Sequence, residues 1–114
     1  GRAIVSLNEL RDIAHQIARE HGWWEEERTF GDLIALCHSE LSEALEEYRR
    51  GQGPTEIYTI MPSTKPEGIP IELADVLIRV FDMAGFYGID LDESVRLKTE
   101  YNKGRPMRHG NKVM

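Results

Sequence analysis

Residues 70–88 read PIELADVLIRVFDMAGFYG, with a proline at the start, a glycine at the end and apolar side chains at nearly every helical position between them. Proline is favoured at the first position of a helix and glycine just beyond the last, so this stretch predicts one helix. A helix that is apolar almost all round must be buried on several sides. In a four-helix monomer such burial is hard to arrange, so we predict a helical bundle in which a second copy of the chain packs on this helix.

Three further helices follow from similar start and stop signals. The first opens on the capping box Ser6–Glu9 and ends by Gly22. The second runs from near Thr29 to Gly51, and the fourth opens on a box at Asp90 and ends by Gly104. The pattern predicts an all-α, four-helix bundle-like fold, and 114 residues suit one domain over 1–114.

The connection between the second and third helices, residues 51–68, is long for a compact domain. It carries three prolines and a short β-favouring run at residues 57–60. Connections of this length are usually functional or mobile. We interpret it as a lid or an oligomer contact.

Composition and charge exclude several classes of protein. A net charge of −6 argues against binding polymeric nucleic acid through its phosphates, and the single cysteine, Cys37, excludes a disulfide within the chain and favours a core position. No apolar run is long enough to cross a bilayer and no secretory signal is recognisable, so we expect a cytoplasmic protein. Six of the fourteen basic residues fall in the last nineteen positions, and such a basic segment suits the binding of a small polyanion such as a phosphate compound.

Two acidic pairs of matched spacing lie within the second and third helices. Glu40 and Glu43 form one pair, and Glu72 and Asp75 form the other. Residues three apart share a helix face, so antiparallel packing of these helices would bring the four carboxylates together. Like charges repel unless a cation lies among them. Either pair alone is also typical of a solvated helix face.

The ligand types point to a particular class of metal. Carboxylates without a histidine favour Mg²⁺, with Mn²⁺ as a second candidate, over iron or zinc. Neither acidic pair has the Glu-x-x-His form of the di-iron bundles. Magnesium held in this way commonly binds substrate phosphates, which indicates phosphoryl transfer or phosphoanhydride hydrolysis. No Walker loop or nucleophile elbow is present.

Two groups of side chains outside the acidic pairs are candidate substrate contacts. In the fourth helix, four polar residues at three-to-four spacing suit phosphate binding, although a solvated basic terminus would look the same. They are Lys98, Tyr101, Asn102 and Arg105. Near the end of the first helix, His15 and Trp24 offer stacking surfaces for a nucleobase, with structural packing as the alternative for both. The predicted catalytic set is Glu40, Glu43 and Lys98.

Taken together, these motifs resemble the MazG-like family of all-α nucleoside triphosphate pyrophosphohydrolases, which has relatives acting on dCTP and dUTP. The family pattern is ExxE, a variable spacer and ExxD, matched by the two acidic pairs. The stretch GIPIELAD at 68–75 and the closing YNKGRPMRHG at 101–110 also look like the compact members of the family. The resemblance covers nearly the whole chain from about Leu7.

The resemblance implies Mg²⁺ held by the four acids and hydrolysis between the α and β phosphates, with release of monophosphate and pyrophosphate. It also implies a base pocket near His15 and Trp24, a polar contact from Asn102, and a homodimer or dimer of dimers. In relatives directed at dCTP an aromatic residue follows the ExxD acid by one helical turn. This chain has Arg79 there, a departure that leaves the base open and suggests a phosphate or carboxylate partner for Arg79.

Two other interpretations stay open at this point. One is hydrolysis of phosphoribosyl-ATP by a HisE-like enzyme, which shares the acidic-helix chemistry, although the closing motif favours the nucleotide-pool branch. The other is a helical interaction module that no longer turns over. All four acids are present, whereas a degenerate site would be expected to have lost at least one.

Overall fold

A computed structural model describes residues 4–105, and over this range the chain forms four α-helices, one short 3-10 helix and no β-strand. The helices are α1 (Leu7–Glu20), α2 (Phe30–Arg49), α3 (Ile69–Tyr87) and α4 (Leu91–Gly104), with the 3-10 helix (Trp23–Glu25) before α2. The all-α prediction is confirmed, and each helix begins and ends within about two residues of its predicted position.

The first helix begins as predicted, and the fourth begins differently in one detail. Ser6 accepts a hydrogen bond from the Glu9 backbone N–H at 3.0 Å, and the Glu9 carboxylate accepts one from the Ser6 N–H at 2.7 Å. Asp90 likewise accepts from the Glu93 N–H at 3.0 Å. The Glu93 carboxylate, however, pairs with Arg96 one turn further along, so only half of the predicted box forms at α4.

The third helix lies between α1 and α2 and packs against both. A small core forms where α2 meets α3, around Leu33, Cys37 and Met83. Cys37 therefore occupies the core position that was predicted. The start of α4 attaches to the start of α1, because Asp92 accepts a hydrogen bond from the Leu7 N–H at 3.0 Å. Packing of α4 on α2 or α3 is slight or absent over the described residues.

Close approach of α1 and α3 depends on Gly85. A Cβ atom at this position would lie 2.6 Å from the Cβ of His15 and 3.3 Å from the backbone oxygen of Arg11. The first distance is too short for two carbon atoms and the second is tight for carbon against oxygen, so a side chain at this position would force α1 and α3 to shift apart.

Replacement of Gly85 by alanine is expected to lower the free energy of unfolding by about 1–3 kcal/mol, the usual cost of overpacking. Urea unfolding followed by circular dichroism measures this. Gly31→Ala is the matched control, because the nearest atom to its Cβ would be 3.9 Å away and alanine favours the helix by about 0.5–1 kcal/mol. Equal stability of Gly85→Ala and the wild type would contradict the close helix contact.

An apolar stripe runs along the side of α2 and α3, and we call it the α2–α3 apolar face. It consists of Leu41, Leu45, Tyr48, Leu73 and Leu77, which are between 46% and 62% exposed. In the antiparallel arrangement of the two helices, each of these side chains lies beside the core on the side away from the acidic residues. Exposed apolar patches of this kind mark interaction surfaces. No helix in residues 4–105 has both the length and the apolar character needed to span a membrane.

The connection at 51–68 folds back on α2 and α3. Its β-favouring run forms a single antiparallel bridge, between Tyr58 and Glu67, and no strand. The bridge leads directly into Gly68, the residue before α3, which has a φ of 122°. A side chain at Gly68 would be strained and would collide with the carbonyl oxygen of Glu56, so the turn into α3 requires glycine.

Candidate metal centre

The two predicted acidic pairs come together where α2 and α3 run antiparallel. Carboxylate oxygens of Glu40, Glu43 and Glu72 all lie within 4.8 Å of one another, close enough to share one cation. Asp75 lies one helical turn after Glu72 and borders the same groove as Glu40. The predicted convergence of the two helices is therefore present, whereas metal binding stays a prediction.

Burial and mutual repulsion raise the pKa values of two of these carboxyl groups. Burial, followed by the charges of Glu43, Asp75, Glu40 and Glu47, raises the pKa of Glu72 to about 7. Burial and the charge of Glu40 also raise the pKa of Asp75, against a smaller lowering by Arg79. Without a cation, full ionisation of this cluster is therefore costly at neutral pH.

The raised pKa of Glu72 predicts a dependence of stability on pH. Its charged form is disfavoured in the folded protein, so the metal-free protein should lose stability as the pH rises from about 4.5 towards 7. Glu72→Gln removes this cost, and should stabilise the metal-free protein by about 1–2 kcal/mol at pH 8, allowing for solvent screening, with little effect at pH 5. Unfolding by urea in EDTA at both pH values tests this, with Glu46→Gln as the control on an exposed acid of α2. An equal effect of Glu72→Gln at the two pH values would contradict it.

A second acidic group adjoins the first and shares Glu72 with it. Oxygens of Glu47, Glu67 and Glu72 also lie within 4.8 Å of one another. Glu47 is only 5% exposed, and the Tyr58 hydroxyl donates to it at 2.8 Å. Glu47 follows Glu43 by one helical turn on the same face of α2, but nothing in the spacing of the sequence indicated Glu67, because it lies in the 51–68 connection.

Arg79 connects the acidic cluster to a groove between α1, α2 and α3. Its Nε donates to Oε2 of Glu40 at 2.7 Å. Glu40 and Arg79 both line the groove, which has a volume of about 410 Å³ and is bordered also by Ile17, Ile78 and Trp23. The sequence suggested a phosphate or carboxylate partner for Arg79, and the partner observed is the carboxylate of Glu40, which is also a predicted metal ligand.

His15 and Trp24, the predicted base-binding residues, meet at a buried carboxylate. His15 Nδ1 lies 2.8 Å from Oδ1 of Asp82, and the Trp24 indole N–H donates to the same oxygen at 2.8 Å. The Trp24 ring stacks on Phe86, with 4.1 Å between ring centroids. One ring face of Trp24 and the polar atoms that meet Asp82 are thus engaged within the protein. Base binding by His15 and Trp24 stays a prediction.

The predicted phosphate-binding residues lie apart from the acidic cluster. Three of them, Lys98, Tyr101 and Asn102, are exposed on the second half of α4, and Arg105 is exposed just after the helix ends at Gly104 rather than within it as predicted. Only the start of α4 is attached to α1. Lys98 and Arg105 lie over the Tyr101 ring, 5.2 Å and 5.5 Å from its centroid. Within one protomer, the packing of the helices therefore leaves these four side chains away from the carboxylates of α2 and α3. The Arg-Pro end of the closing motif, from Pro106 to Gly110, lies outside the described residues.

Comparisons of the chain with protein-family models, curated proteins and solved structures found no match. The resemblance to the MazG-like family accordingly rests on the motif residues themselves.

Proposed function

We propose that this protein is a Mg²⁺-dependent nucleoside triphosphate pyrophosphohydrolase of the MazG-like type, converting (d)NTP to (d)NMP and pyrophosphate and so limiting a nucleotide pool. The observation that carries the proposal is the convergence of Glu40, Glu43 and Glu72 beside a groove that Asp75 also borders. Carboxylates from two helices form a hard-ligand site, and the adjoining groove has the volume of a typical small-molecule pocket.

The donor set fits a divalent cation. Oxygen-only ligands suit Mg²⁺ or Mn²⁺, and the raised pKa values of Glu72 and Asp75 reflect negative charge that a cation would neutralise. The metal-binding set in this proposal is Glu40, Glu43, Glu72 and Asp75. A metal bound there would neutralise phosphate charge and make the α-phosphorus more susceptible to attack by water.

The residues of the chain have distinct roles in this proposal. The Arg79 ion pair orients Glu40. Glu43 is exposed whereas the other three carboxylates are half-buried, so it is the carboxylate best placed to accept a hydrogen bond from an attacking water. Lys98 would neutralise charge on the departing pyrophosphate.

A second protomer would complete the site. The α2–α3 apolar face is exposed in one protomer, and the polar side chains of α4 lie apart from the carboxylates. In a homodimer, or a dimer of dimers, that covers this face, α4 of one copy would be free to extend round to the acidic cluster of the other, because over the described residues α4 is attached to its own protomer chiefly through α1. We therefore propose that Lys98, Tyr101, Asn102 and Arg105 act across the subunit interface.

A screen of canonical and modified NTPs and dNTPs with Mg²⁺ tests the proposed reaction. Monophosphate and pyrophosphate should appear in equal amounts, with no free orthophosphate, because cleavage falls between the α and β phosphates. Release of orthophosphate from the γ position, or no turnover of any nucleotide with Mg²⁺ or Mn²⁺, would refute the proposal. Phosphoribosyl-ATP belongs in the same screen, since its hydrolysis would indicate the HisE-like alternative.

A further inference from the structure

We propose that Arg79 selects the nucleobase, by donating two parallel hydrogen bonds to a base edge that carries two adjacent acceptors, from a position beside Trp23 at the groove. This inference rests on the proposed function for the identity of the substrate. It adds the class of base and the residue that recognises it.

The groove that contains Arg79 has the character of a base-binding cleft. Ala14, Ile17, Ala18 and Ile78 provide apolar lining, and Arg79 provides hydrogen-bond donors among them. Because Asp75 and Asp82 are seven residues apart on one helix, the groove extends for about 10 Å along α3. That length is sufficient for a purine or pyrimidine ring beside the carboxylates.

Arg79 retains donors for a ligand. Over the described residues, its only hydrogen bond runs from Nε to Glu40, so the terminal Nη1 and Nη2 groups have no partner there. The ion pair with Glu40 also restricts where these groups can lie, because the side chain is held at 2.7 Å from the carboxylate. The Arg79 side chain is 30% exposed, which leaves it accessible from the groove.

Trp23 is the aromatic residue that borders the groove, and its neighbours hold it in place. The Arg28 guanidinium carbon lies 3.4 Å from the Trp23 ring centroid, and Arg28 Nε donates to the Trp23 carbonyl oxygen at 2.9 Å. The Arg79 guanidinium carbon is 5.4 Å from the same centroid. Both guanidinium groups lie over the ring, so Trp23 helps to hold Arg79 at the groove, where a base edge can approach it.

The geometry of a guanidinium decides which bases fit. Its two parallel N–H groups match two adjacent acceptors, as in O6 and N7 of guanine. Cytosine offers the same arrangement at O2 and N3. Adenine places an amino donor beside its ring acceptors, and uracil places an N–H between its carbonyl oxygens, so neither matches the fork. The proposed substrate class is therefore nucleotides of guanine or cytosine.

Phosphate is the other ligand that a guanidinium could bind here, and the two possibilities predict different patterns. A phosphate contact is common to every nucleotide, so its loss would lower hydrolysis of all four bases alike. A base contact affects only the bases that make it. Arg79→Lys separates base recognition from the support that Arg79 gives to Glu40. Lysine keeps a positive charge beside Glu40 but lacks the planar pair of donors that would bind the base edge.

The test compares kcat/KM for GTP, CTP, ATP and UTP in the wild type, Arg79→Lys and Arg79→Met. The wild type should prefer GTP or CTP. Both variants should lose roughly 5- to 150-fold on the preferred base, the range for one bidentate contact. Arg79→Lys should lower kcat/KM for ATP and UTP only through weaker support of Glu40, an effect that all four nucleotides share, so the ratio of kcat/KM for the preferred base to that for ATP or UTP should fall. Selective loss on GTP assigns a guanine pocket, and selective loss on CTP assigns a cytosine pocket. An equal loss on all four nucleotides in Arg79→Lys would overturn the proposal.

A binding measurement separates failure of this inference from failure of the proposed function. Quenching of tryptophan fluorescence by GMP, CMP, AMP and UMP in EDTA requires neither metal nor turnover. If no triphosphate is hydrolysed but the wild type still binds GMP or CMP preferentially, and Arg79→Lys loses that preference, the proposed reaction fails and the role of Arg79 stands. If hydrolysis occurs but binding shows no preference that depends on Arg79, the inference fails and the reaction stands.

Discussion

Glu43→Gln is expected to abolish hydrolysis of every nucleoside triphosphate while the helices stay intact. Loss of an outer-shell partner of a metal site typically costs about 10- to 100-fold, and loss of a ligand that also orients water should exceed this. The metal-free variant should be as stable as the wild type or more so, because the substitution relieves repulsion between carboxylates. Among the neighbouring carboxylates, Glu43 has the largest effect on the pKa of Glu72.

Three measurements make this expectation decisive. Steady-state kinetics at saturating Mg²⁺ gives the loss of activity, calorimetry gives Mg²⁺ binding, and circular dichroism gives the fold. Asp75→Asn should behave in the same way. Glu46→Gln is the matched control, because Glu46 lies on the same helix but pairs with Arg49 outside the cluster. A Glu43→Gln variant with wild-type turnover would refute the assignment of the metal site.

Leu77→Asp is expected to convert an oligomer into a monomer. Leu77 is 56% exposed in the protomer and belongs to the α2–α3 apolar face, which a second copy would cover. A buried charge without a partner at such an interface is strongly unfavourable. The wild type should sediment at twice the 13.1 kDa protomer mass or more at micromolar concentration, and the variant at the protomer mass. If α4 acts across the interface, the variant should also lose activity.

Ser39→Asp provides the control for Leu77→Asp. It adds the same charge at an exposed position of α2 that faces away from the apolar stripe, so the sedimentation of this variant should match that of the wild type. A wild-type protein that sediments as a monomer would contradict the dimer. An oligomeric wild type whose mass is unchanged by Leu77→Asp would show that a different surface forms the contact.

Much of the local structure could be predicted from the sequence because the deciding interactions are between near neighbours. The Ser6 cap, the glycine after α3 and the periodic apolar positions each act within a turn or two of helix, and the observed helices begin and end close to the predicted positions. The acidic pairs could also be recognised from the sequence, since three-residue spacing puts both members of a pair on one helix face.

The tertiary structure alone decided which partners these side chains find. Glu67 joins Glu47 and Glu72 because the bridge at Tyr58 folds the 51–68 connection back, and Arg79 meets Glu40 across thirty-nine residues of sequence. Spacing along the chain does not encode such long-range pairs, since they depend on the direction and register in which two helices pack. Sequence therefore determined the helices and the faces that carry the carboxylates, whereas antiparallel packing on α3 determined which charges share a site and which groove they border.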